Sequence, residues 1–548
     1  MRLPPIFALT LLASLGCGGP TYDVVIRGGT VYNGSDSAGI VADVAIQGDS
    51  IVAVGNLGAA RGRQVIDAQG LAVAPGFINM LSWANEALLV DGKSQSDIRQ
   101  GVTLEIFGEG ESMGPLTPAM KAEWEAAQGD IRFPITWTTL AGYLDTLVHR
   151  GVSPNVASFV GAATVRQYVL GHDPRQATKS ELAQMQQLVG EAMADGALGV
   201  GSSLIYEPGM FATSTELEWL AQIAAARGGI YISHIRNEGD SLFEALDEFL
   251  GIAARAGARA EIYHLKTSGP RNWDKEDELL TRIEEARSKG LKVTADMYTY
   301  PASATGLDAV MPGWVRAGGF AAWAGRLQDP ATRRRLKPEV TAALVKVGGA
   351  DHVLLVGFKN DSLKHYTGQT LAQVATTRGT GPEETAMDLV YQDNSRIGCV
   401  YFSMSEENVR KQIQVPWISF GSDEASLAPE GVFLKSNPHP RAYGTFARLL
   451  GKYVRDEKLI RLEQAIHRLT LLPATTLRLK RRGALRPGYF ADVVIFDPAT
   501  IQDHATFEKP HQYSTGVRDV FVNGTQVLKD GEHTGATPGR VVRGAGVP

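Results

Sequence analysis

Four side chains in this sequence have the types and positions needed for chemistry. His234 closes the apolar run "GIYISH", and His264 closes "AEIYH" thirty residues later. Glu109 ends "TLEIFGE", and Asp423 ends "WISFGSD". Two imidazoles and a carboxylate suit a zinc ion and leave one position open for water. A cation held that way acidifies water and polarises a carbonyl. A free carboxylate alongside, Asp423, can take the proton from water and hand it to a leaving nitrogen. That constellation suits hydrolysis of an amide. Each residue also has a plainer reading. A histidine can sit in a core or on a surface, and Asp423 can cap a following helix. Which of Glu105, Glu109 and Glu111 points inward is open on these grounds.

The elements that must position these residues alternate along the middle of the chain. Candidate strands are "GFINML", "GVTLEIFGEG", "NVASFVGA", "GALGVGSSLIY", "GIYISHI", "RAEIYHLK", "LKVTADMYTY" and "WISFGSD". Helical patterns separate several of them. In "DSLFEALDEFLGIAARAG", Leu242, Ala245, Leu246, Phe249, Ile252 and Ala253 repeat at helical spacing. Ser241 and Glu244 form a capping-box pattern at its start. Eight strands with crossover helices predict an α/β fold, a (β/α)8 TIM barrel over residues 75–483. Barrel enzymes carry their chemistry at the carboxyl ends of the strands, where all four residues fall. The spacing from His234 to His264 is one βαβ step, so adjacent parallel strands would present both imidazoles at the same rim. Residues 312–415 are long for one connection and predict an insertion near the barrel mouth, with "HVLLVGF" as an extra strand.

Short alternating apolar runs broken by turn residues occur at both ends of the chain, in 21–74 and 484–548. They predict one composite β-sandwich domain built from both segments. The 548 residues are 44% hydrophobic with a formal charge of −5, and no long basic run supports a nucleic-acid partner. The N-terminal "MRLPPIFALTLLASLGCGGP" has a charged Arg2 and a short apolar stretch from Ile6 to Leu15. It predicts an export signal over 1–17, too short for a membrane span. Cys17 fits a lipoprotein cleavage site, although Ser14 departs from the usual leucine there. The expected location is extracytoplasmic, either periplasmic or membrane-anchored through a lipidated Cys17. Cys399, the other cysteine, sits in an apolar run and is expected in a core.

At this point the chain resembles the amidohydrolase superfamily and, within it, the D-aminoacylase (N-acyl-D-amino-acid deacylase) family. The matching segments include "YDVVIRGGTVYNG", "APGFIN", "QGVTLEIFGEG", "GALGVGSSLIYEPG", "SHIRNEGDS", "YHLKTSG", "FGSDEAS", "HPRAYGTFARLLGKYVR" and "LRPGYFADVVIFDP". "GYFADVV" is a superfamily-level motif, whereas "HIRNEGDS" together with "HPRAYGTF" is specific to the family. The resemblance implies a barrel with a composite β-sandwich, zinc, and removal of the acyl group from an N-acyl-D-amino acid. It carries ligand roles onto His234 and His264 and the general acid/base role onto Asp423. The family commonly has a cysteine ligand after the second strand, and Glu109 falls in its place. A carboxylate can serve there, as a harder ligand.

The first strand departs from the family. Asn79, Leu81 and Trp83 stand where the family has Asp, His and His. The family's tight metal is held by strands two, five and six, and the first-strand histidines serve a weaker second position. The resemblance therefore implies one zinc per chain here. "ALGVGSSLIYEP" has no lysine, so the carboxylated lysine of some amidohydrolases is absent. A substrate carboxylate needs a cation, for which Lys266 and Arg236 are candidates, or else either one pairs with Glu238. Tyr206 lines the pocket or packs, Trp83 is a pocket wall or barrel packing, and His439 fixes a loop. The competing readings are an inactive binding protein on the same barrel, and a dipeptidase or cyclic-amide hydrolase.

Overall fold

The computed structural model describes residues 19–547. The export signal and Cys17 lie outside the described residues. The two chain ends meet in one sheet. Strands Thr21–Val31, Ile40–Gln47, Ser50–Gly55, Arg61–Asp67 and Ala72–Pro75 join Val493–Phe496, Val517–Val522, Thr525–Lys529 and Glu532–His533 in nine-stranded pairing. The seam is antiparallel, from Val493 opposite Pro75 to Phe496 opposite Ala72. Strand Thr21–Val31 pairs in parallel with Arg61–Asp67 along its first part and with Ala72–Pro75 along its last. The sheet branches there, and its wings enclose a core in which Ile26, Val44 and Ile66 pack with Val493 and Phe521.

Eight parallel strands form the barrel: Phe77–Asn79, Val102–Phe107, Asn155–Ser158 continuing as Val160–Gly161, Gly199–Ser203, Ile230–His234, Arg259–Ile262, Val293–Met297 and Ile418–Phe420. The first and last strands close it through Met80 N to Phe420 O at 3.2 Å and Asp423 N to Leu81 O at 2.8 Å. Asn79 reinforces the closure. Its side chain accepts from Ser422 N and donates to Ser422 Oγ, both at 2.8 Å. The strands are buried on both faces, as parallel strands under helices must be. Met80, Leu104, Ile106, Phe159 and Ile232 fill the axis, while Tyr231, Leu246 and Phe249 belong to the layer between strands and helices.

The helix after His234 runs Leu242–Ala256 and buries the six expected residues. Its expected capping box does not form. Ser241 has φ −102° and ψ 36°, outside the extended region a capping side chain needs, and it makes no capping bond. Asn237 Oδ1 takes over, accepting from Gly239 N and Ser241 N at 2.9 and 3.0 Å.

The insertion has its own antiparallel sheet, with Gly398–Tyr401 between Ser303–Gly306 and Val353–Gly357. Its core runs from Leu307 to Tyr401 and holds the buried Cys399. It therefore begins before residue 312 and ends before 415. Helix Glu406–Ile413, placed inside it by sequence, packs Val409 and Ile413 into the barrel layer instead. Among the described residues, no helix is long and apolar enough to cross a membrane.

Candidate metal centre

Side-chain alternation brings His234 to the barrel axis. Ile230 and Ile232 point inward and Tyr231 outward, so His234 continues the inner face at the strand's end. The same rule assigns the three glutamates. Leu104 and Ile106 point inward, which sends Glu105 to the other face, where Ser82 Oγ and Ser94 Oγ donate to its carboxylate. Gly108 and Gly110, at φ +106° and +75°, then turn the chain so that Glu109 re-enters the axis. Glu111 stands exposed on the cavity wall. His264 and Asp423 follow their strands in left-handed conformations, φ 35° and 52°. The His264 amide donates to Asp296 Oδ1 at 2.9 Å and the Asp423 amide to Leu81 O, so the surrounding structure holds both unusual conformations.

These placements converge. Glu109 Oε1 lies 2.9 Å from His234 Nδ1 and 2.9 Å from His264 Nε2. The two imidazole rings stand nearly perpendicular with centroids 4.5 Å apart. Burial alone would raise the Glu109 carboxyl, but the His264 charge and hydrogen bonds from both imidazoles outweigh it and hold Glu109 well below the usual carboxylate range. The three donor atoms lie within 4.8 Å of one another, and all three residues are buried. Two nitrogens and one carboxylate oxygen at that spacing fit a divalent ion of the zinc type. Glu238 stands beside the pair, its Oε1 3.2 Å from His264 Nδ1 and, beyond hydrogen-bond reach, 3.8 Å from His234 Nε2. Carboxylates behind metal-binding imidazoles orient the rings and raise their basicity.

Asp423 lies beside the three donors without joining them. Its Oδ1 accepts from Trp83 Nε1 at 3.2 Å, and Trp83 Nε1 also lies 3.1 Å from Glu109 Oε2. Asp423 Oδ2 faces the buried guanidinium of Arg441 at 2.7 Å. His439 fixes the loop that delivers Arg441. It contacts Ala302 O and accepts from the Arg441 amide, each at 3.0 Å.

A cavity of about 640 Å³ opens over these groups, walled by the barrel rim and the insertion. Lys266 lines it, but its ammonium is paired with Glu238 Oε1 at 2.8 Å and lies against the His264 ring. Tyr206 also lines it, with its hydroxyl 2.8 Å from Thr305 Oγ1. Burial keeps that phenol protonated by pushing it above its ordinary value.

Arg236 is not on the cavity wall. Its guanidinium grips both oxygens of Glu248 and donates to Met210 O and Ala212 O, each at 2.8–3.0 Å. Four of its five N–H donors are spent on these partners and the side chain does not line the cavity, so the sequence-based expectation for Arg236 is corrected. Arg236→Ala should lower stability by about 1–3 kcal/mol, because two carbonyls and a carboxylate lose their donor. A thermal shift with unchanged KM would bear this out.

A further cation on the cavity wall comes from the insertion. Arg396 donates from Nε to Asp308 Oδ1 at 2.9 Å and stacks over the Tyr206 ring at 4.6 Å. Its side chain is 47% exposed, and beyond a long 3.4 Å bond from Nη2 to Thr305 Oγ1 the η nitrogens keep donors to spare. Sequence gave no sign of Arg396, Arg441 or the place of Glu238 beside the imidazoles.

Comparison with known proteins agrees with this architecture. Residues 64–528 match the model of the amidohydrolase family. The chain is 33% identical to D-aminoacylase of Alcaligenes xylosoxydans xylosoxydans, covering 95% of this chain and 97% of the other. Its fold superimposes on a D-aminoacylase structure with a binuclear metal centre, described by one-metal activation and second-metal attenuation, with TM-score 0.80 and 31% identity over 95% of this chain and 100% of the other. It likewise matches N-acyl-D-glutamate deacylase of Bordetella bronchiseptica, solved with zinc and a phosphonate mimic of the tetrahedral intermediate, with TM-score 0.79 and 31% identity over the same shares. The chain belongs to the amidohydrolase family, in its D-aminoacylase branch.

Proposed function

We propose that this protein is a zinc-dependent hydrolase that removes the acyl group from N-acyl-D-amino acids. The observation that carries the reading is the convergence of Glu109, His234 and His264 beneath a cavity, with Asp423 bound to the same indole N–H as Glu109. A divalent cation held by those three donors supplies Lewis-acid polarisation and acidification of water. Asp423 supplies the base: it accepts a proton from water and delivers it to the leaving nitrogen. Trp83 and Arg441 hold its two oxygens in place for that exchange. The D-configuration and the acyl-amino-acid class rest on the relatives named above.

The substrate's free carboxylate meets Arg396 and the Tyr206 hydroxyl at the insertion side, with Lys266 deeper in the cavity. A half-free guanidinium offers a fork that suits a carboxylate. Arg396→Ala should raise KM for N-acyl-amino acids by roughly 10- to 100-fold, the worth of a charge-assisted hydrogen bond. Carboxamide-blocked analogues should be turned over as before. The fold should survive, because Asp308 keeps Arg316 at 3.5 Å.

In this reading Cys17 is lipidated after export, and the reaction takes place outside the cytoplasm. The mass of the mature N-terminus checks that. The main test is a panel of N-acyl-D- and N-acyl-L-amino acids with the zinc-loaded chain. D-selective deacylation, lost on chelation and restored by zinc, is the expected result. No hydrolysis across the panel, or preference for blocked dipeptides or cyclic amides, overturns the reading.

A further inference from the structure

The first barrel strand delivers two residues to the site that cannot bind a metal. Leu81 is fully buried and has no donor atom. Trp83 carries an indole N–H, which is a donor without a lone pair. Yet Trp83 is not idle packing. Its Nε1 lies 3.1 Å from Glu109 Oε2 and 3.2 Å from Asp423 Oδ1. The remaining oxygens of the same carboxylates are engaged elsewhere, Glu109 Oε1 with the imidazoles and Asp423 Oδ2 with Arg441. Two carboxylates that each place an oxygen about 3 Å from one point repel unless something positive stands there. A cation would serve, and an N–H dipole of fixed position serves here. The backbone pins it: Trp83 N donates to Glu424 O at 3.0 Å and Ser82 N to Ile106 O at 2.8 Å.

We propose that the Trp83 indole N–H takes the place of a second metal ion between Glu109 and Asp423, so that the centre accepts one cation only and Asp423 is positioned without a second. Trp83 is then a positioning residue. This inference rests on the metal reading given above and adds to it why the centre stays mononuclear. The second-metal attenuation described for the D-aminoacylase neighbour is closed off by the side chain itself.

The test uses the full chain after chelation, titrated with Zn²⁺ or Co²⁺ by calorimetry and elemental analysis. The unsubstituted protein should stop at one equivalent and keep its turnover in excess metal. The L81H/W83H variant should take up a second equivalent. Trp83→Phe should still hold one equivalent, and its kcat should fall roughly tenfold with little change in KM, because Asp423 loses a hydrogen bond. Uptake of two equivalents by the unsubstituted chain overturns the inference whatever the variants do. Unchanged kcat in Trp83→Phe overturns the positioning role. Binding of no metal at all overturns the metal reading and this one with it, and that outcome is distinct from the other two.

Discussion

His234→Ala should empty the metal centre and stop turnover together. The substitution removes one of three donors and leaves Glu109 with His264 alone. Bound zinc, measured on the purified chain, should drop from about one equivalent to near none, since a three-donor site loses the ligand count zinc needs. Turnover should fall by roughly three powers of ten or more. Polarisation by a metal is worth several kcal/mol, and about 4 kcal/mol is a thousandfold. The metal-free fold should barely notice. His234 ends its strand facing the cavity, and Glu109 keeps its bonds from His264 and Trp83. Activity retained in this variant would sink the catalytic reading.

The same experiment weighs the rival, an inactive barrel that has lost its chemistry. That reading draws on Asn79, Leu81 and Trp83. In the structure none of the three looks like erosion. Asn79 ties the first strand to the last through Ser422 and donates to Asp97 Oδ2 at 2.9 Å. Leu81 packs with the axis core. Trp83 bridges the two carboxylates that matter most. A site that had drifted out of use would not be expected to keep Glu109, His234, His264 and Asp423 joined in one bonded cluster.

How much of this could be read beforehand follows from the range of each interaction. His234 was legible because a strand's end and its alternation are local properties, visible in six or seven residues; His264 and Asp423 were legible from their strand ends alone, and it is their left-handed backbone that turns them to the axis. The identity of Glu109 was not legible from local pattern, since it depends on two glycines with positive φ turning the chain after the strand. Arg441 and Glu238 lay in plain view inside the motifs "HPRAYG" and "RNEGD", but nothing local says that one meets Asp423 and the other stands beside two imidazoles. Arg396 was the hardest. It reaches the cavity only because the insertion folds its three-stranded sheet against the barrel mouth. The insertion's start was misplaced for a related reason: Ser303–Gly306 is a short polar strand that pairs with Gly398–Tyr401 nearly a hundred residues later. The capping pattern at Ser241 failed because Asn237 takes the Ser241 amide that Glu244 would have met, and the Ser241 backbone is outside the extended region.

Asp423→Asn should separate proton transfer from metal binding. The carboxylate is not among the three donors, so the variant should keep its zinc, in contrast to His234→Ala. General acid–base groups are worth about 10²–10⁴ in rate, and kcat should fall by that amount. KM should change little, because Asp423 holds a proton and not the substrate's carboxylate. A stability cost should accompany the loss. Arg441 is 3% exposed and would face a neutral amide, with Glu424 Oε2 at 3.8 Å the nearest remaining anion. Breaking a buried pair by removing one partner costs about 3–5 kcal/mol, and Glu424 should offset part of it. Burial, opposed by Arg441 and reinforced by the Asp423 charge, raises Glu424 to about 7; without that charge Glu424 ionises at lower pH in the variant, so its help should be full above neutral pH and fade in acid. The melting temperature of Asp423→Asn should therefore lie closer to that of the unsubstituted protein at pH 8 than at pH 5. A variant that keeps its zinc but loses less than tenfold in kcat would move the proton to another group, and Asp423 would be left as a partner for Arg441 alone.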